Sequence, residues 1–207
     1  AISNQISYST IVNCTFNEGY AKRGGFIVIK DGSSGINTTI SNCTFINAHS
    51  VTPGNDWGGG ACYINVANVK FHNSVFINTY TLNNNSHGGA IAFQANANKG
   101  QVINCTFINA SANDGGAIAW TGNNGLLFNS TFINNRAAQN GGAVYWSGTG
   151  GSAGNCTFIS NYALSNGGAI YWTGGSGRLY NSSFILNGLL STSSNGGAVY
   201  WSSNTGT

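Results

Sequence analysis

Charge is the scarcest property of this chain. Its 207 residues include only 4 acidic and 7 basic side chains, a formal net charge of +3. Nucleic-acid binding calls for a basic stripe or patch, and here only Lys22 and Arg23 stand side by side. Sugar-cleaving chemistry needs paired carboxylates or calcium ligands. The whole acidic inventory is Glu18, Asp31, Asp56 and Asp114. Asp56 and Asp114 lie two repeats apart, each ahead of a Gly-Gly pair, and read as corner-capping residues rather than an acid–base pair. No enzyme activity, cofactor or metal centre is therefore expected. His49, His72 and His87 have no metal-ligand spacing, although His49 and His87 fall in longer connections and could approach each other. Proline occurs once, as Pro53, and methionine not at all. No apolar run approaches the ~20 residues of a membrane-crossing helix, so no membrane span is expected.

What the chain has instead is repetition. Asn-Cys-Thr-Phe-Ile-Asn or a close variant begins at Asn13, Asn42, Asn73, Asn104, Asn129, Asn155 and Asn181. Each copy is followed by a Gly-Gly phrase, at Gly24, Gly59, Gly88, Gly115, Gly141, Gly167 and Gly196. The copies are 25 to 31 residues apart, a period that marks a stacked, quasi-one-dimensional architecture. Nothing lies outside the repeat, so residues 1–207 form a single domain.

Within one unit a helical period fails and alternation works. Ile103, Cys105 and Phe107 should point one way, Asn104 and Thr106 the other. Phe16, Phe45, Phe76, Phe107, Phe132, Phe158 and Phe184 never vary and read as a core ladder. Trp120, Trp146, Trp172 and Trp201 form a second inward ladder in the other half-unit, although an inverted parity would expose them and bury Tyr145, Tyr171 and Tyr200. Such short strands must pair with their equivalents one coil on. The expected fold is all-β: a parallel β-helix of about seven coils, two or three sheets around a narrow core, without globular caps, roughly 34 Å long at ~4.8 Å per coil. The longer connections Ala48–Gly58, Thr79–His87 and Gly188–Asn195 should protrude from one face.

Cys14, Cys43, Cys105 and Cys156 share one repeat position, filled elsewhere by Ser74, Ser130 and Ser182. That exchange suits a small inward side chain better than a cross-link. Only Cys14 and Cys43 occupy adjacent coils and lie within disulfide reach; whether they are thiols or a disulfide stays open. The outward Asn/Thr stripe should form a hydrogen-bonded ladder. It also creates nine Asn-x-Ser/Thr sequons, at Asn13, Asn37, Asn42, Asn84, Asn104, Asn109, Asn129, Asn155 and Asn181, where glycans would crowd one another. A regular Thr ladder is a pattern of ice-binding β-helices too, interrupted here by Val75 and Ser183.

These phrases resemble the Gly-Gly-Ala-Ile and Phe-x-x-Asn repeats of bacterial polymorphic outer-membrane proteins, and more closely still the Asn/Thr-rich adhesin-like surface proteins of methanogenic archaea. Phe-x-x-Asn appears in shortened form, as Phe107–Asn109, and in full at Phe132–Asn135. The resemblance implies a right-handed parallel β-helix exposed at the cell surface and supplies no catalytic site.

The start at Ala1 rather than Met is consistent with a removed secretory leader, so the expected location is extracellular or at the cell surface. A β-helix has two open ends, usually blocked by caps, and neither end of this sequence reads as one. An uncapped top meeting an uncapped bottom is a heterologous contact that propagates. The expected function is a structural subunit that partners itself head to tail in a filament or sheath, with Ala1, Ile2, Ile6, Tyr8, Tyr200 and Trp201 at the contact. The alternative is an adhesin module that binds surface glycans or partner cells through its loop face.

Overall fold

A computed structural model describes residues 2–4, 8–30, 37–51, 58–83, 85–191, 194–203 and 205–206. The described residues contain 29 short strands and no helix. The strands form four parallel sheets, one of eight strands and three of seven. The fold is thus the expected all-β parallel solenoid, with four sheets where two or three were anticipated. Seven strands in a column make six steps, so the seven rungs amount to about six turns, or roughly 29 Å of rise at ~4.8 Å per step.

One rung shows how the sequence makes the coil. Gln101–Ile103 belongs to a first sheet, Thr106–Ile108 to the Phe sheet, Ser111–Ala112 to a short sheet and Ile118–Trp120 to the Trp sheet. Each strand pairs in register with its equivalents above and below: Phe107 lies between Phe76 and Phe132, and Trp120 between Phe93 and Trp146. The strands of this rung stop after two or three residues because left-handed residues bracket them. Asn104 has φ 54° and Asn109 φ 55°. Asparagine tolerates that conformation better than other residues with a Cβ. Asn13, Asn42, Asn73, Asn129, Asn155 and Asn181 sit in the same region, which explains why this position is asparagine in all seven copies.

That turn corrects the expected parity. Alternation does not run through Asn104: Val102 is buried and Ile103 only half-buried, whereas Cys105 and Phe107 point inward as anticipated. A left-handed residue re-aims the chain and resets which side chains face the core. Near the start of the chain, Ile2–Asn4 pairs with Ile27–Ile29 in the Trp sheet, and Ser9–Val12 pairs with Thr38–Ser41 in the first sheet.

The second corner is built on glycine. Gly115 has φ 60°, and a Cβ there would run into the Ile118 carbonyl. Gly116 lies against the Gly142 carbonyl of the next rung, which leaves no room for a side chain.

The core consists of two aromatic columns. The seven phenylalanines from Phe16 to Phe184 stack with centroids 4.6 to 5.0 Å apart and ring planes within 9° of parallel. Phe93, Trp120, Trp146, Trp172 and Trp201 stack at 4.2 to 4.7 Å. The coil repeat sets these distances, and near-parallel rings at that separation must be offset, a favoured aromatic geometry. Trp120, Trp146 and Trp172 are fully buried, whereas Tyr145 and Tyr171 on the alternate parity are half-exposed. The tryptophans, not the tyrosines, face in.

Candidate functional site

The polar groups of this molecule run in columns along the axis, so each candidate site is a column rather than a cleft. At the Gly-Gly corner, His87, Asp114, Asn140, Asn166 and Asn195 follow one another up the rod. His87 Nδ1 lies 3.0 Å from Asp114 Oδ2. The other carboxylate oxygen accepts from the Asn140 backbone N–H at 3.0 Å and from Asn140 Nδ2 at 2.9 Å. Asn113 Nδ2 donates to Oδ2 at 3.1 Å. Burial pushes the Asp114 carboxyl up, but the His87 and Asn140 hydrogen bonds and the nearby imidazole outweigh it and hold the group below its ordinary value. A carboxylate with both oxygens engaged is a corner clamp, and among the described residues no second carboxylate bonds to the same groups. Asp56 and Pro53 lie outside the described residues. His49 does not approach His87; it stacks on Tyr80 at 4.9 Å and meets the tilted ring of Tyr20 at 4.7 Å.

The Cys/Ser position has a specific hydrogen-bonding reason. Each side chain donates back across the asparagine corner to the carbonyl two residues earlier: Cys105 Sγ to Ile103 O at 3.3 Å, Ser130 Oγ to Phe128 O at 2.9 Å. The serine hydroxyl also accepts from the backbone of the preceding rung, Cys105 N–H to Ser130 Oγ at 3.1 Å, and the same bond joins Cys43 to Ser74 and Cys156 to Ser182. A thiol and a hydroxyl both fit a small inward site that needs one donor. All five cysteines are free thiols, with Cys14 half-exposed and the others buried. Burial pushes the Cys105 thiol up to about 12 and the Cys156 thiol to about 11, and raises Cys43 and Cys62 as well.

Besides the Gly-Gly corner column, further asparagine ladders run up the rod. On the outside, Asn104 Nδ2 donates to Asn73 Oδ1 at 3.1 Å and Asn129 Nδ2 to Asn104 Oδ1 at 2.6 Å. A parallel ladder joins Asn109, Asn78 and Asn47 at 3.3 and 3.2 Å. These side chains stand at corners, not on the flat strand face anticipated for them. The sequon residues Asn13, Asn37, Asn42, Asn104, Asn109, Asn129, Asn155 and Asn181 are all exposed; Asn84 lies outside the described residues.

The third ladder is internal and sequence reading missed most of it. Asn135 and Asn161 are fully buried. Asn135 Nδ2 donates to Phe107 O at 3.2 Å and to Asn161 Oδ1 at 2.9 Å; Asn161 Nδ2 repeats this with Phe132 O at 3.0 Å and Asn187 Oδ1 at 2.9 Å. The signal was present in full: Phe158–Asn161 and Phe184–Asn187 carry the same Phe-x-x-Asn spacing as Phe132–Asn135, so three copies fit the long form, not one.

Two hollows mark the outer surface. One of about 470 Å³ is lined by Glu18, Asn47, His49, Asn78 and Tyr80, beside the Tyr20–His49–Tyr80 stack. The other, about 350 Å³, runs beside the short sheet past Leu82, Asn113, Arg136, Leu164 and Leu190. Leu82, Leu164 and Leu190 are exposed there. Among the described residues no three of His, Cys, Asp and Glu converge as metal ligands would.

At the two ends, Phe16 and Phe184 are half-buried where their equivalents between them are fully buried. Tyr200 and Trp201 are half-buried, stacked on Tyr171 and Trp172 at 5.0 and 4.7 Å. Tyr8 is 72% exposed with φ 77°. Ile2 is in a strand, while Ala1 and Ile6 lie outside the described residues.

The long-form repeat decides what the chain is similar to. The Chlamydia polymorphic membrane protein repeat matches it twice, at residues 129–145 and 155–171. Each match runs from the left-handed asparagine through the core phenylalanine, the buried asparagine and the Gly-Gly corner to an outward tyrosine, Tyr145 or Tyr171. The likeness therefore falls on the two rungs where Asn135 and Asn161 complete the internal ladder. No curated protein and no solved structure matches the chain.

Proposed function

We propose that this chain is a structural rod of a secreted or cell-surface protein and that it stacks end to end into a filament or sheath. The end rungs carry the reading. Phe16 and Phe184 continue the phenylalanine column at 5.0 and 4.9 Å, yet among the described residues each has one stacked ring neighbour in that column and is half-buried. Another rung of the same pattern completes such a surface, and in the proposed filament a second copy supplies it. Joining a bottom to a top is a heterologous contact that repeats without closing. The surface location is supported by the repeat shared with the chlamydial membrane proteins. A non-catalytic role is supported by the clamped state of the Asp114 carboxylate.

The test is electron microscopy and light scattering of the purified chain over a range of concentrations. Filaments that lengthen with concentration and repeat at ~4.8 Å along their axis are the expected result. A chain that never elongates at high concentration sinks the end-to-end reading.

A second reading, an adhesin module that binds surface glycans, is favoured by one observation. The stacked His49 and Tyr80 line a hollow with amide and carboxylate groups from Asn47, Asn78 and Glu18, and the exposed Tyr20 leans against His49 beside it. Aromatic faces beside hydrogen-bonding groups suit sugar rings. Retention on a glycan array that disappears in Tyr20→Ala supports it; an array without retained glycans removes it.

A further inference from the structure

The outer face of the Phe sheet is far more regular than the fold requires. Its strands have three residues, with the phenylalanine inward and the two flanking side chains outward. One outward column reads Thr15, Thr44, Val75, Thr106, Thr131, Thr157 and Ser183. In the other, Asn17 is followed by an isoleucine on every rung from Ile46 to Ile185. No charged side chain stands in either column.

The first sheet supplies an internal comparison. One of its outward columns reads Thr39, Lys70, Gln101, Leu126, Ser152 and Arg178. The same backbone, with the same pairing and pleat, therefore tolerates any outward residue. Repeating Thr and Ile on the Phe sheet is not a demand of the coil, nor of the core behind it, since both sheets cover one core.

We propose that this Thr/Ile face is a lateral docking surface for the same face of a second copy, so that rods pair side by side. The occupant follows from period, charge and area. A partner that meets every rung must itself repeat at the coil spacing, and a second copy does so by construction. Because the face carries no charge, placing it on itself brings no like charges together. Its length of roughly 29 Å and a width of about 15–20 Å, three extended residues with their corners, give about 500 Å² per rod. Two rods then bury about 1,000 Å², at the threshold of a specific interface. Pairing is accordingly weak for single chains and strengthens as rods lengthen, because each added copy contributes to the same contact. Outward threonine methyls and isoleucines interdigitate in the manner of dry, stacked-sheet interfaces, with the asparagine ladders as a polar rim.

This inference goes beyond end-to-end stacking and is separable from it. The experiment compares the wild-type chain with an Ile108→Lys/Ile133→Lys double variant, and with Gln101→Lys/Leu126→Lys on the first sheet as a control. All three are followed by sedimentation at high concentration and by electron microscopy, with circular dichroism to establish that each is folded. Both substitution pairs leave the core columns untouched. The wild type and the control are expected to pair, as dimers or double-width filaments, while the Phe-sheet variant pairs at least about 100-fold more weakly, as four lysines facing one another cost several kcal/mol. Should the Phe-sheet variant fail to fold, Thr106→Asn/Thr131→Asn, which removes methyls without adding charge, is expected to weaken pairing measurably. Single-width filaments of the wild type overturn side pairing and leave end stacking intact. Dimers that never elongate do the reverse. A monomeric wild type, or equal pairing by the Phe-sheet variant, overturns the proposal. So does a wild type that stays unpaired but causes thermal hysteresis or binds crystalline polysaccharide, since its periodic partner is then not itself.

Discussion

At the residue scale, this protein is organised by what a small side chain can do at a left-handed corner. Ser130 both donates across the corner and accepts from the rung below. Ser130→Ala leaves the buried Cys105 N–H without that acceptor and the Phe128 carbonyl without its donor, a loss of about 1–3 kcal/mol. Ser130→Cys keeps the donor and should cost less. Denaturant unfolding of both variants measures the difference, and equal losses would contradict the hydrogen-bonding account of the Cys/Ser exchange. Asp114 gives a pH prediction. Its native carboxyl titrates below the ordinary value of 3.8. A depressed native value means that the contribution to stability is present above the unfolded value and is lost as pH falls through the folded one. Asp114→Asn should therefore flatten the acid limb of the stability profile below about pH 4; an acid limb identical to wild type would place the acid sensitivity elsewhere.

At the element scale, each stacked tryptophan from Trp120 to Trp172 needs a glycine against its ring edge. A Cβ on Gly151 would lie 2.6 Å from Trp146 Cζ2, and Gly125 and Gly177 stand in the same relation to Trp120 and Trp172. An indole stacked on both sides has nowhere to retreat, so Gly151→Ala should cost about 1–3 kcal/mol through overpacking. Trp146→Ala, which removes the ring and leaves a cavity, should cost about 3–5 kcal/mol. Combining the two should be less than additive, because alanine at 151 fills space the missing ring vacated. A double-mutant cycle by thermal or denaturant unfolding reads the coupling. The internal asparagine ladder obeys the same rule of in-register repetition: Asn135, Asn161 and Asn187 each donate to the carbonyl of the phenylalanine one rung earlier, such as Asn161 Nδ2 to Phe132 O at 3.0 Å. Single apolar replacements within it would strand the partners on either side.

At the scale of the whole molecule, a stack of identical rungs makes stability a sum of local and nearest-neighbour terms. A residue in the middle has two neighbours and one in an end rung has one. Phe107→Ala, at a fully buried ring between Phe76 and Phe132, should cost about 3–5 kcal/mol. Phe184→Ala, at a half-buried ring stacked on Phe158 alone, should cost roughly half as much in the dispersed chain. In filaments joined end to end the two costs should converge, because a second copy then covers Phe184. Unfolding measured before and after assembly checks this, and a persistent gap in filaments would argue against end-on contact.

The sequence by itself determined the solenoid. A period of 25 to 31 residues with an invariant phenylalanine leaves only a stack, since strands of three residues can be satisfied solely by their own copies in neighbouring coils. It also determined the phenylalanine column and the corner glycines, because these are local choices repeated seven times, whereas only the structure decided that the tryptophans rather than the tyrosines face the core. What it left undecided was the parity around each asparagine. Alternation read through Asn104 places Ile103 inside, and only the left-handed backbone there puts Val102 inside and Ile103 out. The number of sheets followed from the same backbone angles, which cut one apparent strand into two. The neighbours of Asp114 and His87 were likewise decided by stacking: they are 27 positions apart in the chain, and only the rise of one rung brings the imidazole to the carboxylate.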